Sequence, residues 1–164
     1  MDVLILDASK ANINGECQLT GYEKMIEVLS FSHGIAQQIT GDQSNTKRTS
    51  GKPQHQDFTI TKYQDLSSCQ LINFCNWAKP IPTLKIVIGQ NDNGKVTKMF
   101  EYEMKNALVS SLSTGGGGGG KPQETVTFNY TQITWTYTAQ KSDVTDAGNS
   151  PATWNLATNS DKAS

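Results

Sequence analysis

Arginine is almost missing from this chain: Arg48 is the only one in 164 residues. Bidentate guanidinium contacts to phosphate are therefore scarce. With a formal net charge of −1 there is also no basic field to draw in nucleic acid or an anionic membrane surface. Cysteines number three, Cys17, Cys69 and Cys75, an odd count without CxxC spacing. That pattern gives no disulfide framework or structural zinc site and fits a reducing compartment. The two histidines, His33 and His55, stand apart in sequence with no further ligands at metal-binding spacing, so no metal or other cofactor is expected. Long apolar runs are lacking as well. The N-terminal one covers only Val3–Leu6 and has no basic leader, so neither a signal peptide nor a membrane anchor is expected.

What remains is polar. Hydrophobic residues make up 35% and charged residues 18%, and Thr, Ser, Asn and Gln fill much of the rest. Threonine and aromatics suit a pleated, half-exposed surface, so a mainly β fold is expected. The length fits one domain with a core of its own, spanning 1–164.

Along the chain, Val3–Leu6 reads as a first strand. The segment from Met25 to Ile39 alternates, with Ile26, Val28, Ser30 and Ser32 on one face and Glu27, Leu29, Phe31, His33 and Ile35 on the other. It predicts one long strand with two semi-apolar faces, one for the core and one for a neighbouring chain. Thr40–Gln54 carries no large apolar residue and reads as a long loop. Asp57–Tyr63 is a strand with Phe58 and Ile60 on one face. A helix of about three turns is expected over 67–79. Ser67 and Gln70 form its capping box, Leu66 and Leu71 its staple, and Leu71, Phe74, Cys75 and Ala78 its apolar stripe. Lys79 suits its last turn, and Pro80 and Pro82 end it.

Strands resume at Leu84, and Asn93-Gly94 predicts a tight hairpin. The returning strand alternates at Phe100, Tyr102 and Met104, then loses parity near Asn106. The next, over 124–140, has Val126, Phe128 and Tyr130 on even positions and Ile133, Trp135 and Tyr137 on odd ones. A parity switch inside one run implies a bulge or bend, as when a strand crosses between sheets. Two of them argue for a small barrel or closed sandwich. After Gln140 a polar tail is expected, with Trp154 and Leu156 docking.

Gly115–Gly120 followed by Lys121 satisfies G-x-x-x-x-G-K in form. A phosphate loop also needs a Ser or Thr after the lysine and a helix beyond it, whereas Pro122 and a strand pattern follow. The run, within 114–123, reads as a flexible connector. Glu101 and Glu103 share a strand face, but nothing sets their ionisation apart, and neither helix cysteine has a histidine near it in sequence. Asn129-Tyr-Thr131 is a formal glycosylation sequon inside a strand. No catalytic constellation emerges.

Taken in order, Gly15-Glu16, IEVLSFSHG (Ile26–Gly34), TKYQDLSS (Thr61–Ser68), ALVSSLSTGG (Ala107–Gly116), ETVTFNYTQITWTY (Glu124–Tyr137) and Trp154 resemble the hemolysin-coregulated protein family of bacterial type VI secretion. Cys69 stands where many relatives have proline. The resemblance implies a compact β-barrel of two sheets flanked by one short helix, assembling into a hexameric ring. It implies that rings stack into a tube beneath a spike protein and inside a contractile sheath, and that the lumen carries small effector proteins. Such a protein is cytoplasmic before firing and is secreted without a signal peptide. By the same resemblance, Ser30 and Ser32 line the channel and contact effectors. Asp42, Asn45, Lys47, Arg48 and Lys52, in the extended loop, contact neighbouring subunits or rings. Some relatives carry an added C-terminal toxin; none is expected here. Two rival readings are a monomeric β-sandwich carbohydrate binder using Trp77, Trp135 or Trp154, and a hydrolase using Glu101, Glu103 or His33.

Overall fold

The computed structural model describes residues 3–39, 41, 44, 48, 51–140 and 146–163. Strand β1 (Val3–Asp7) is buried on both faces, which its unbroken apolar run requires. Leu6 joins the main core, while Val3 and Ile5 meet Cys17 beneath the segment Leu19–Met25. Gly15 lets that segment turn back: its N–H donates to the Lys24 carbonyl at 2.7 Å. A Cβ there would lie 2.5 Å from the Met25 carbonyl oxygen, so no side chain fits.

The alternating stretch that follows is three short strands and not one. β2 (Ile26–Glu27) pairs with β1, β3 (Ser30–Ser32) pairs with β6 (Phe58–Tyr63), and β4 (Ile35–Ala36) pairs with β5 (Gln54–His55). The break lies at Val28–Leu29. The Val28 N–H still donates to Leu4 of β1, while the Leu29 N–H donates to Thr61 of β6. As the chain changes sheets, the inward parity passes from Ile26 and Val28 to Phe31 and His33. The expected single strand, with Ser30 and Ser32 on the side of Ile26, is corrected accordingly.

Helix α1 (Ser68–Asn76) is shorter than expected and capped differently. Ser67 makes no side-chain cap bond, and Leu66 is 66% exposed, so neither the capping box nor the staple forms. Asp65 does the capping: its carboxylate accepts from the Ser67 N–H at 2.9 Å and from the Ser67 hydroxyl, while the Asp65 N–H donates to Ser68 Oγ at 3.0 Å. Gln70 reaches instead to the Asn12–Asn14 turn, with bonds of 3.2 Å to each residue. Leu71 is fully buried in the core, with Phe74 and Cys75 of the expected stripe packed against it, and Lys79 lies over the Phe74 ring.

Strands β7 (Ile81–Asp92) and β8 (Lys95–Gly115) form the expected hairpin. Asn93 (φ 49°) and Gly94 (φ 79°) supply the two left-handed residues of a type I′ turn. β8 has 21 residues and serves two walls. Up to Lys105 it lies between β7 and β10 (Gln132–Gln140); from Leu108 it pairs with β9 (Gln123–Asn129). The change falls at Asn106, whose φ of 51° moves the inward side chains from Met104 to Ala107 and Val109. The second parity switch is the bend at Tyr130–Thr131 between β9 and β10. One wall therefore runs β2-β1-β7-β8-β10-β11, the other β8-β9-β6-β3. Their inner faces enclose Phe58, Ile60, Leu84, Ile86, Met104, Val126, Phe128 and Ile133. The segment read as a polar tail holds a further strand, β11 (Asp146–Asn155), paired along β10 with one register shift between Ala139 and Gln140. Its polar sequence concealed it because an edge strand needs no apolar alternation. The glycine run joins β8 to β9, as expected of a connector.

Candidate assembly and cargo surface

The outer face of the second wall carries a lattice of neutral hydroxyls. Ser30 sits opposite Thr61, Thr61 opposite Thr125, and Thr125 opposite Ser113; in the next row Ser32, Thr59, Thr127 and Ser111 stand side by side. Odd-numbered threonines on β6 and β9 follow from period-2 alternation, since the even positions face the core. A bulge between Val109 and Ser111 brings two serines against one threonine: Ser110 and Ser111 both lie 2.6 Å from Thr127 Oγ1. Ser110 also donates to Asp57 at 2.7 Å, and Asn129 donates to the same carboxylate at 3.0 Å. Ser30 and Ser32 are exposed at the β3 edge of this lattice. The face is polar and nearly uncharged, so it can form many hydrogen bonds with little electrostatic preference.

Beneath it, the core side of the same strands holds a feature that sequence reading missed. Phe58 pairs with Phe128, Ile60 with Val126, and Lys62 with Glu124, so the ion pair continues the apolar ladder. Both charged side chains are fully buried, 2.8 Å apart. Lys62 also donates to Asp65 at 3.0 Å, to the Tyr63 carbonyl at 3.2 Å and to Ser68 Oγ at 3.3 Å, and Ser68 donates to Glu124 at 3.0 Å. The cluster ties the start of α1 to the sheet. A lysine and a glutamate at inward positions of TITKY and ETVTF were the signal.

The ends of the long loop are tied down by another cluster. His33, just before β4, and His55, in β5, both meet Tyr130 Oη, with Nε2 of His33 at 2.5 Å and Nδ1 of His55 at 3.2 Å. His33 stacks on Phe58 and His55 faces Trp135 at 6.0 Å. Burial lowers the pKa of both histidines, and His55 lowers that of His33 further. Burial first, and the charge of Asp57 second, push the Tyr130 phenol well above its ordinary value. Among the five loop residues expected to touch neighbours, Arg48 and Lys52 are exposed, while Asp42, Asn45 and Lys47 lie outside the described residues.

The residues of the hydrolase reading are not brought together. Glu101 and Glu103 lie on the outer face of β8, each beside a lysine (Lys98 at 2.6 Å, Lys85 at 3.7 Å), whereas Tyr102 between them points inward to His33. The three tryptophans are not alike. Trp77 is 82% exposed after α1. Trp135 and Trp154 are partly buried and line an open groove of about 580 Å³ with His55, Ile35 and Pro53. Among the described residues no three His, Cys, Asp or Glu side chains gather as metal ligands, and no helix is long and apolar enough to cross a membrane.

The sequence profile of the family described as "Type VI secretion system effector, Hcp" matches residues 6–137. The chain belongs to the Hcp family. It is similar to Protein hcp1 of Pseudomonas aeruginosa, with 35% identity over 106 residues that span 63% of this chain and 65% of that relative's length. A structure described as that of a type six secretion system protein superposes with a TM-score of 0.88 at 27% identity, covering 98% of this chain and 99% of the other. Hcp1 from Salmonella typhimurium gives 0.77 at 22% identity, covering 95% of each chain, which shows the shared fold. The family's profile ends at Tyr137, so β11 lies outside the matched stretch. The resemblance drawn from sequence is thereby established for family and fold, and the carbohydrate-binding reading has no support among these relatives.

Proposed function

We propose that this chain is the tube subunit of a type VI secretion system, a single non-catalytic domain whose copies close into a hexameric ring and stack. The hydroxyl lattice carries the reading. A sheet with a complete core on one side and two rows of neutral hydroxyls on the other is suited to lining a water-filled channel. Ser30 and Ser32, at its edge, are the proposed contacts for small effector proteins held in the lumen. The loop with Asp42, Asn45, Lys47, Arg48 and Lys52 is the proposed link to neighbouring subunits and rings. A head-to-tail contact that closes on itself gives a ring, and the same loop contact repeated along the axis gives a tube. The spike protein and contractile sheath are the further partners. The subunit waits in the cytoplasm and leaves through the apparatus.

Native mass spectrometry and negative-stain imaging at micromolar concentration are expected to show six-membered rings. A stable compact monomer under those conditions would refute the reading. Replacing Ser30 and Ser32 with glutamine is expected to weaken effector retention while leaving rings intact; unchanged retention would remove these serines from the contact surface.

A further inference from the structure

His33 and His55 come from the two ends of the segment 37–53, and both direct a ring nitrogen at one phenolic oxygen. The stem between them is slight. β4 and β5 pair over only two residues each, helped by the Gln56 N–H donating to Gly34 at 2.9 Å and the Gln37 amide donating to Gly51 at 3.0 Å. Tyr130, in the bend between β9 and β10, ties both ends of this stem to the barrel.

A phenol offers one hydrogen and two lone pairs. With both imidazoles neutral, Tyr130 donates to one ring nitrogen and accepts from the N–H of the other ring, so all three groups are satisfied. A proton on the accepting nitrogen turns it into a donor. Tyr130 must then turn its hydrogen to the Gln56 carbonyl, 3.4 Å away. A second proton sets two cations against each other with ring centroids 6.2 Å apart, in a half-buried site walled by Phe58, Tyr102 and Trp135. We propose that the His33–Tyr130–His55 cluster is an acid-released clasp, holding the β4–β5 stem against the barrel at neutral pH and letting it go when the histidines become charged.

Among the described residues, the groups facing the cluster do not offset that charge. Asp57, just before β6, keeps its negative charge while accepting from Ser110 and Asn129, but that charge acts on Tyr130 and is not among the causes that shift either histidine. Tyr102, from β8, has a phenol that burial pushes up, so it stays neutral. Trp135 from β10, Phe58 from β6, and Gln37, Gly51 and Pro53 on the loop side bring no charge. The sign follows from the depressed histidine values. Closure is fully stabilised above about pH 6.5, the ordinary histidine value, and weakens as pH falls through the lower values of the clasped form. The pair titrates jointly, so its midpoints belong to the cluster and not to either ring. The inference concerns one subunit and stands whether or not the tube reading does.

The test uses the full chain in its native assembly. Proton NMR of the imidazole carbons is expected to give both histidine midpoints below the ordinary value. Hydrogen exchange, corrected for intrinsic rates, is expected to show the Gln56 amide, which donates to Gly34, losing protection by about tenfold or more between about pH 7.5 and pH 5, one pKa unit of separation being a factor of ten. The β7 amides serve as the internal reference and should not follow. In the H33Q/H55N double variant, whose amides place nitrogens near those of the rings without titrating, the stem response should vanish. Histidine midpoints at or above the ordinary value in the wild-type chain overturn the proposal without any variant. So do stem protection independent of pH, and a double variant that retains the full response.

Discussion

At the scale of single residues, Lys62 and Glu124 carry the most consequence. Two fully buried charges survive only because each has a partner, and removing one leaves the other stranded. Glu124→Leu or Lys62→Met alone is expected to lower unfolding stability by about 3–5 kcal/mol, whereas the two together should recover most of that loss. Chemical denaturation at one fixed protein concentration measures both, and equal losses in single and double variants would show the pair is not coupled. Gly15 is the second such position. Gly15→Ala drives a Cβ into the Met25 backbone, and an overpacked site of this kind costs about 1–3 kcal/mol; an unchanged denaturation midpoint would mean that the 15–25 segment shifts freely. Trp77 stands at the opposite extreme. At 82% exposure it should dominate quenching of the chain's tryptophan fluorescence by acrylamide in an isolated subunit, and Trp77→Phe should remove that accessible fraction. A fraction left unchanged would place the quenchable ring at Trp135 or Trp154.

At the scale of elements, legibility depended on how much of the folding information was local. The Asn93-Gly94 hairpin was readable because a type I′ turn is dictated by two residues. The parity switches near Asn106 and after Tyr130 were readable because inward side chains are apolar and the shift shows in their spacing. The switch at Leu29 was not, because Ser30 and Ser32 continued the even pattern in position though not in chemistry. Their change from apolar to hydroxyl was itself the sign that the even face had turned outward. The helix cap was misassigned because Ser67 competes with Asp65, and Asp65 prevails through its contact with Lys62, a residue brought near by the sheet. β11 was hidden because pairing with β10 rests on backbone bonds that any polar sequence can make. Of the site, Ser30 and Ser32 were named through the family resemblance alone, since the alternation set them beside Ile26 and Val28, and the lattice behind them needed the cross-strand register. The histidines were taken one at a time. Only the fold brings them to one tyrosine.

At the scale of the whole molecule, the Hcp family and the fold set the expectations for assembly, and the two-walled core sets those for stability. β8 belongs to both walls, passing from one to the other at Asn106. A wall that borrows its border strand from the other has no independent existence. Heat should thus produce one cooperative calorimetric transition per subunit, its van't Hoff and measured enthalpies equal once dissociation is accounted for. Two resolved transitions within a subunit would contradict the shared strand. The same sharing governs tolerance to length change: one extra residue between Lys98 and Met104 would turn that arm of β8 inside out while the arm beyond Asn106 kept its facing. The bend is thus where an insertion could be absorbed, and the arms on either side are where it could not.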